Sequence, residues 1–141
     1  RSEVSLLRTI LWIMASTLKI NTLTGVTTAG SIAVTGEGNS TTTNLQQGLL
    51  KFWLQADSSA SVRDSLNNSG STDNGTGDYS YTFTNNMGND DYALGTEVVA
   101  AELSGASTLT TSSIRISVFS RADSFSQQDQ VNYNTVAGDL A

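Results

Sequence analysis

Hydrophobic and polar residues alternate in several short stretches of the second half of the chain. In the clearest stretch, Tyr79, Tyr81 and Phe83 alternate with Ser80 and Thr82. Consecutive side chains of a β-strand point to opposite faces, so this period of two residues predicts a half-buried strand with its three aromatic rings on the inner face.

The same period predicts further strands. It is clear from Ile114 through Val118, and Val131, Tyr133 and Val136 indicate a closing strand. Residues 96–103 fit a strand or a helix by pattern alone, and their setting among strands favours a strand.

Residues 49–54 are apolar on both faces. Leu50, Phe52 and Leu54 fall on one face, and Trp53 falls on the other with Leu49 and Lys51. This pattern predicts a strand that is packed on both sides.

Polar, glycine-containing stretches separate these strands, notably a long turn over 67–78 and a loop over 85–91. Strands about ten residues apart with polar turns between them are typical of an antiparallel β-sandwich. The predicted fold class is therefore all-β, with a jelly-roll-like sandwich over residues 49–141.

Residues 14–48 differ from this body and predict a thin β-structured stem, linker and assembly segment. Residues 17–36 indicate two or three short strands, and 37–48 indicate a linker in which Leu45–Gly48 could form one helical turn. The basis is alternation and turn-forming glycines, at Leu18, Ile20, Ile32, Val34, Gly25, Gly30 and Gly36. Such a segment has little apolar area of its own, so we expect it to rest on the sandwich or on sister chains.

Residues 1–13 form a separate apolar N-terminal extension. Its run through Leu11, Trp12 and Ile13 resembles the core of a signal peptide and is too short to span a bilayer. Alternatively, Met14 is the natural start, or the apolar positions form a helical stripe that docks on a neighbouring subunit.

Composition narrows the function. The 141 residues include no Pro, Cys or His, so a zinc site of the usual kind, an imidazole base and a disulfide framework are excluded. The net charge is −6, which disfavours binding to nucleic acid or to an anionic membrane.

Candidate catalytic and metal-ligating groups are weak. Asp90 and Asp91 are adjacent, so on a strand they would point to opposite faces and could not form a catalytic pair. Asp73, Asn74 and Asp78 faintly resemble a calcium loop but lack the spacing and the bidentate Glu of an EF-hand. We therefore predict no catalytic, cofactor-binding or metal-binding residues, and no enzyme.

Two further patterns concern carbohydrate. Asn39, Asn67 and Asn74 begin Asn-x-Ser/Thr stretches, which arise by chance in a chain this rich in those residues. Trp53, Tyr79 and Tyr92 could stack on sugar rings if they are exposed, although we favour burial of Trp53 and Tyr79 in a core or an interface.

Longer motifs add a resemblance. "KFWLQAD" and "VRDSLNNSGSTDNGTGDYSYTFTNNMGNDDYAL", preceded by "MASTLKINTLTG", resemble small virion and tail-fibre-like proteins of tailed bacteriophages, especially those of marine cyanobacteria. The resemblance covers about residues 14–95 and the C-terminal third only loosely.

The resemblance implies a sandwich on a short stem, commonly homotrimeric, on the virion surface, with no catalytic residues. It leads to two functional hypotheses: a tail-fibre-like or receptor-binding module that attaches to a host glycan or protein, or a capsid decoration, cement or other tail or head accessory protein. Both imply contacts with other virion proteins. The first hypothesis predicts that loops 67–78 and 85–91 cluster at the distal end of a trimer, away from the particle.

Overall fold

A computed structural model gives the fold of the chain. It describes residues 18–25, 32–35, 41–99, 102–122 and 124–141. The predicted apolar extension 1–13, Met14, Gly30, Gly36 and Asn39 lie outside the described residues.

Within these ranges the chain is built almost entirely of strands. In chain order the elements are β1 Ala33–Thr35, β2 Thr42–Asn44, α1 Leu45–Gly48, β3 Leu50–Ala56, β4 Val62–Leu66, β5 Asn68–Gly75, β6 Asp78–Phe83, β7 Ala93–Val98, β8 Leu103–Leu109, β9 Ser113–Phe119 and β10 Asn132–Ala137.

Eight of these strands form two packed sheets. The first sheet has the order β4-β3-β10-β7 and the second has the order β5-β6-β9-β8. The pairings are antiparallel throughout, and three of them join consecutive strands: β3 with β4, β5 with β6, and β8 with β9. The predicted all-β antiparallel sandwich is confirmed.

The core lies between the two sheets. Tyr79, Tyr81 and Phe83 are buried, as the alternating pattern predicts, and Ile114, Ile116 and Val118 of β9 are completely buried beside them. The first sheet contributes Phe52, Leu54, Ala56, Val98 and Val136.

Aromatic rings fill the end of the core nearest to α1. Phe83 packs edge-on against Phe52 at a centroid distance of 5.0 Å and against Tyr92 at 6.0 Å. Such edge contacts stabilise by about 0.5–1.5 kcal/mol each beyond the burial of apolar area. The small sandwich therefore draws much of its stability from a few large rings.

The segment before the sandwich is a small β-hairpin followed by one helical turn. β1 pairs with β2, and Asn44 caps α1 by accepting a hydrogen bond from the Gln47 amide at 3.0 Å. Lys51, at the start of β3, is buried and donates to the carbonyl oxygens of Gln46 and Leu49, which fastens α1 to the sandwich. The predicted helical turn at Leu45–Gly48 is confirmed.

Other predictions for this segment need correction. Residues 41–48 form β2 and α1 rather than a linker, and residues 18–25 contain no strand, so the strand predicted at Leu18 and Ile20 is wrong. Leu50, predicted to share the buried face of Phe52, is 49% exposed, and it is the first residue of β3.

The long turn predicted over 67–78 is instead mostly strand β5. Its sequence, NSGSTDNG, lacks alternation because β5 is an edge strand that pairs with β6 alone, so most of its residues face solvent. Residues 96–103 are likewise not one strand, since β7 ends at Val98 and β8 begins at Leu103 in the other sheet.

The sequence pattern assigns the wrong residues of the closing strand to its inner face. In β10 the buried residues are Asn132, Asn134 and Val136, whereas Tyr133 is 39% exposed. The side chain of Asn132 is accommodated in the core by a hydrogen bond from Tyr81, and the Asn134 amide donates to Asn132.

Candidate functional site

The connections of the sandwich divide between two ends. The end at which α1 enters holds the β6–β7 connection and the chain's last residues, which Met87 joins by bridging Leu140. The opposite end, called the far end here, holds the connections 57–61 and 76–77 and the described residues of the connections 99–102 and 120–131. Because β6 runs from one end to the other, the turn at 75–78 and the loop 85–91 lie at opposite ends, and the predicted clustering of loops 67–78 and 85–91 is wrong.

Hydrogen bonds join the connections of the far end to each other. The carboxylate of Asp129 accepts from the Gly77 amide at 2.6 Å and lies 3.2 Å from the Tyr79 hydroxyl. That hydroxyl also lies 3.1 Å from the carbonyl oxygen of Ser58 and accepts from the amide of Gln130. The buried Tyr79 therefore joins two connections directly, and Asp129 joins the turn at 76–77 to them.

The longest connection presents an exposed aromatic ring. Phe125 is 63% exposed, and both it and Ser124 have positive φ angles, of 60° and 50°. Backbone strain of this kind in residues other than glycine concentrates at functional loops. The Glu102 carboxylate accepts a hydrogen bond from the Arg121 amide at 2.9 Å, which ties this loop to the β7–β8 connection.

The outer face of the first sheet carries a second candidate site. One row across it contains Leu66, Trp53, Thr135 and Gly95, which are successive cross-strand partners. Trp53 is half-buried and Leu66 is 46% exposed, so the row presents an aromatic ring and an aliphatic side chain to solvent.

The next row on the same face is polar. It contains Asp64, Gln55, Tyr133 and Glu97, again as successive partners. The Gln55 amide donates to the Tyr133 hydroxyl at 3.2 Å, which fixes the orientation of both side chains. We call these two rows together the Trp53 face.

A shallow groove runs over one side of the Trp53 face. It has a volume of about 230 Å³ and is lined by Gly95, Thr96, Glu97, Tyr133 and Thr135. Gly95 forms its floor, where a Cβ atom would lie 2.8 Å from the Thr135 hydroxyl. The groove is smaller than a drug-sized pocket of roughly 300–1,000 Å³.

The three aromatic residues that the sequence suggests for sugar stacking differ in their exposure to solvent. Tyr79 is fully buried and Tyr92 is 7% exposed, so both belong to the core. Trp53 alone of the three reaches an outer face. Tyr133, predicted from the sequence only as part of a strand, lies beside Trp53 on the adjacent strand. Local sequence cannot predict this neighbour, because the two residues are far apart in the chain.

A polar network crosses the core. The Tyr81 hydroxyl of the second sheet donates to the side-chain oxygen of Asn132 at 2.8 Å, and the Asn134 amide donates to the same oxygen at 2.8 Å. Asn132 donates in turn to the carbonyl oxygen of Gln130. Asn132 thus connects the two sheets, and Asn134 supports it from the same strand.

Two of the carboxylates considered for calcium, those of Asp73 and Asp78, accept hydrogen bonds from other groups of the chain. Asp78 forms a two-point ion pair with Arg115, with a distance of 2.8 Å to the guanidinium Nε, and this contact lowers the pKa of Asp78. Asp73 accepts from the Gly75 amide, and Asp90 and Asp91 are exposed in a turn. In the part of the chain that the structure describes, no three acidic side chains converge as metal ligands would.

Two of the Asn-x-Ser/Thr asparagines are within the described residues. Asn67, with φ of 64°, accepts from the Asn85 amide at 2.7 Å and donates to its carbonyl oxygen at 3.0 Å, joining β5 to the β6–β7 connection. Asn74 donates to Ser80 at 2.8 Å on the outer face of the second sheet. Both amides have clear structural roles.

Burial of the core tyrosines predicts a loss of stability at alkaline pH. Desolvation raises the pKa of Tyr79 to about 12 and also raises the pKa values of Tyr81 and Tyr92. A phenol whose pKa is higher in the folded chain than its ordinary value of 10 stabilises the fold fully below pH 10. This contribution is lost as the pH rises through the folded-state value.

We therefore expect the urea midpoint to fall steadily between about pH 10 and 12. Ultraviolet absorbance at each pH would show phenolate appearing together with unfolding. Ionisation of all four tyrosines at pH 10 in the folded chain would contradict the burial of these side chains.

No protein-family model, curated protein or solved structure matches the chain. Among the described residues no helix has the length and apolar character needed to cross a lipid bilayer.

Proposed function

We propose that the chain is a structural protein of a tailed-bacteriophage virion, a tail-fibre-like or receptor-binding module that acts as a homotrimer on the virion surface. The proposal assigns it contacts with other virion proteins and with a host surface glycan or protein, and no catalytic activity. It rests on the resemblance of residues 14–95 and on the distribution of exposed apolar side chains.

The observation that carries the proposal is the exposure of apolar residues before the sandwich. Leu18 is 76% exposed, Leu23 53%, Val34 51% and Ile20 49%. Water-exposed apolar side chains of this kind favour burial against identical copies, because closed symmetric assembly covers each copy's apolar side chains with those of its neighbours.

The two ends of the sandwich fit this arrangement. The segment that we assign to assembly enters at one end, and the strained loop with Phe125 lies at the other. A module attached through its N-terminal segment would therefore direct Phe125 and the far-end side chains Val99 and Leu103 away from the particle.

The proposal predicts that assembly and attachment are lost separately. Replacing Leu18, Leu23 and Val34 together by serine is expected to convert a trimer to monomers, because it removes the apolar area to be buried between copies. Native mass spectrometry and light scattering measure this mass. The control Phe125→Ser removes an exposed apolar side chain at the far end instead, and it is expected to leave the trimer intact while abolishing adsorption to host cells.

Monomeric wild-type chain at micromolar concentration would overturn the trimer. A copy number in the hundreds per particle, measured by quantitative mass spectrometry of virions, would instead establish capsid decoration. Adsorption that is unchanged in the Phe125→Ser trimer would remove the far end from the attachment role.

A further inference from the structure

We propose that the Trp53 face binds neutral oligosaccharides. The site lies on the outer face of the first sheet, and it goes beyond the attachment role proposed above. It would hold a sugar chain along the sheet, independently of what the far end contacts.

The first argument is the placement of two aromatic rings on a flat surface. Trp53 and Tyr133 occupy adjacent strands and neighbouring rows, so their Cβ atoms are diagonal neighbours about 7–8 Å apart. The faces of aromatic rings pack against the apolar C–H surfaces of pyranose rings. Two such platforms at this separation suit consecutive units of a chain rather than a single small molecule.

The second argument is the set of hydrogen-bonding groups beside the rings. Gln55 supplies an amide, Tyr133 a hydroxyl, and Glu97 and Asp64 supply carboxylate oxygens. Carboxylates and amides in a row accept and donate to vicinal sugar hydroxyls, and the bond from Gln55 to Tyr133 preorganises two of these groups.

The third argument is charge, which selects the occupant. The two rows contain Asp64 and Glu97 and neither Lys nor Arg. A second copy that docked through the same face would bring no Lys or Arg of these rows to pair with the carboxylates, and unpaired like charges across an interface are costly. Anionic sugars and nucleic acid are disfavoured for the same reason, which leaves a neutral, hydroxyl-rich ligand.

The groove beside Tyr133 supplies a place for part of one sugar unit. Its floor is open because residue 95 is glycine, and its wall is Glu97 with the Thr135 hydroxyl. A methyl group on residue 95 would push that hydroxyl towards the groove. Gly95→Ala is therefore a way to narrow the site without touching either aromatic ring.

The test uses the full chain and a panel of soluble gluco-, galacto- and manno-oligosaccharides of two to six units. Isothermal titration calorimetry is expected to show binding of at least one neutral series, with affinity increasing with chain length. Trp53→Ala and Tyr133→Ala are each expected to weaken it about tenfold or more, since each removes one stacking platform. Trp53→Phe retains a ring and should recover part of the affinity.

Controls separate binding from folding. Thr108→Ala, on the outer face of the second sheet, is expected to bind as the wild type does. Gly95→Ala should lower the affinity while its thermal unfolding stays close to that of the wild type. In a Trp12→Phe background Trp53 is the only tryptophan, so its fluorescence reports directly on sugar contact.

Four results would overturn the proposal. These are absence of binding to every neutral series, binding unaffected by Trp53→Ala in a folded variant, preference for an oligogalacturonate over the neutral sugars, and dissociation of the assembly by Tyr133→Ala, which would make the face a subunit contact. A variant of the Trp53 face that loses sugar binding but adsorbs normally to host cells would support a sugar site that is separate from the attachment surface. Loss of trimer and adsorption in the variants of the N-terminal segment tests the virion role separately.

Discussion

Tyr81→Ala is expected to lower the free energy of unfolding by about 3–5 kcal/mol, the range for removing a large aromatic ring from a core. Tyr81 is completely buried in the middle of β6 and its hydroxyl bonds Asn132 of the opposite sheet. Small domains are stable by about 5–15 kcal/mol in total, so this one change removes much of the margin. Urea denaturation followed by circular dichroism measures the loss.

Tyr81→Phe separates the ring from its hydroxyl. The Asn132 oxygen keeps its bond from the Asn134 amide, so it is not left unsatisfied, and the expected cost is about 1 kcal/mol. Thr82→Ala, at the exposed neighbouring position, removes hydrogen bonds with Gly70 and Ser69 but no core packing, so it should cost about 1 kcal/mol, far less than Tyr81→Ala. A Tyr81→Phe variant as unstable as Tyr81→Ala would show that the polar network, rather than the ring, holds the sheets together.

The sequence pattern predicts strands whose inner residues are apolar. Tyr79, Tyr81 and Phe83 and the β9 residues from Ile114 to Val118 are buried as the alternation requires. In these strands each inward side chain is stabilised by its own apolar area, so local sequence contains the whole signal.

The alternation does not predict strands whose structure depends on residues that are distant in the sequence. Asn132 and Asn134 are polar and yet buried, because Tyr81, some fifty residues earlier, satisfies the Asn132 oxygen. β5 is polar and yet a strand, because it forms the edge of its sheet. In both cases long-range hydrogen bonds decide the outcome.

The candidate site shows the same division. Trp53 could be selected from the sequence as an aromatic residue on the second face of its strand. Its neighbours on the Trp53 face come from β4, β7 and β10, and Gln55 and Tyr133 are separated by 78 residues. Only the strand order β4-β3-β10-β7 brings these groups together.

The far end depends on one close backbone contact. Gly77 has φ of +66°, and a Cβ atom at this position would lie 2.6 Å from both the Gln128 amide nitrogen and the Val118 carbonyl oxygen. Its own carbonyl oxygen accepts from the Val118 amide, and its amide donates to Asp129. The turn therefore holds the loop 120–131 against β9 through a residue that must lack a side chain.

Gly77→Ala is accordingly expected to destabilise by about 2–4 kcal/mol, since overpacking costs typically 1–3 kcal/mol and the left-handed backbone adds roughly 1 kcal/mol. Chemical denaturation gives the total, and hydrogen exchange is expected to show lost protection at Gln128 and Val118 before the rest of the sandwich. The neighbouring turn residue gives a matched control: Gly75 also has positive φ, of +130°, but no atom lies within 4 Å of its Cβ position.

Gly75→Ala therefore introduces backbone strain without a steric clash. Gly105→Ala introduces neither strain nor clash, because its Cβ position is also open and its φ is not in the left-handed region. The expected order of destabilisation is Gly77→Ala, then Gly75→Ala, then Gly105→Ala. A loss for Gly77→Ala of no more than about 1–2 kcal/mol, the cost of the left-handed backbone alone, would mean that the loop 120–131 moves away from Gly77 at little cost. In that case the far end would not be a preformed surface, and the attachment role assigned to Phe125 would require ordering on contact with the host.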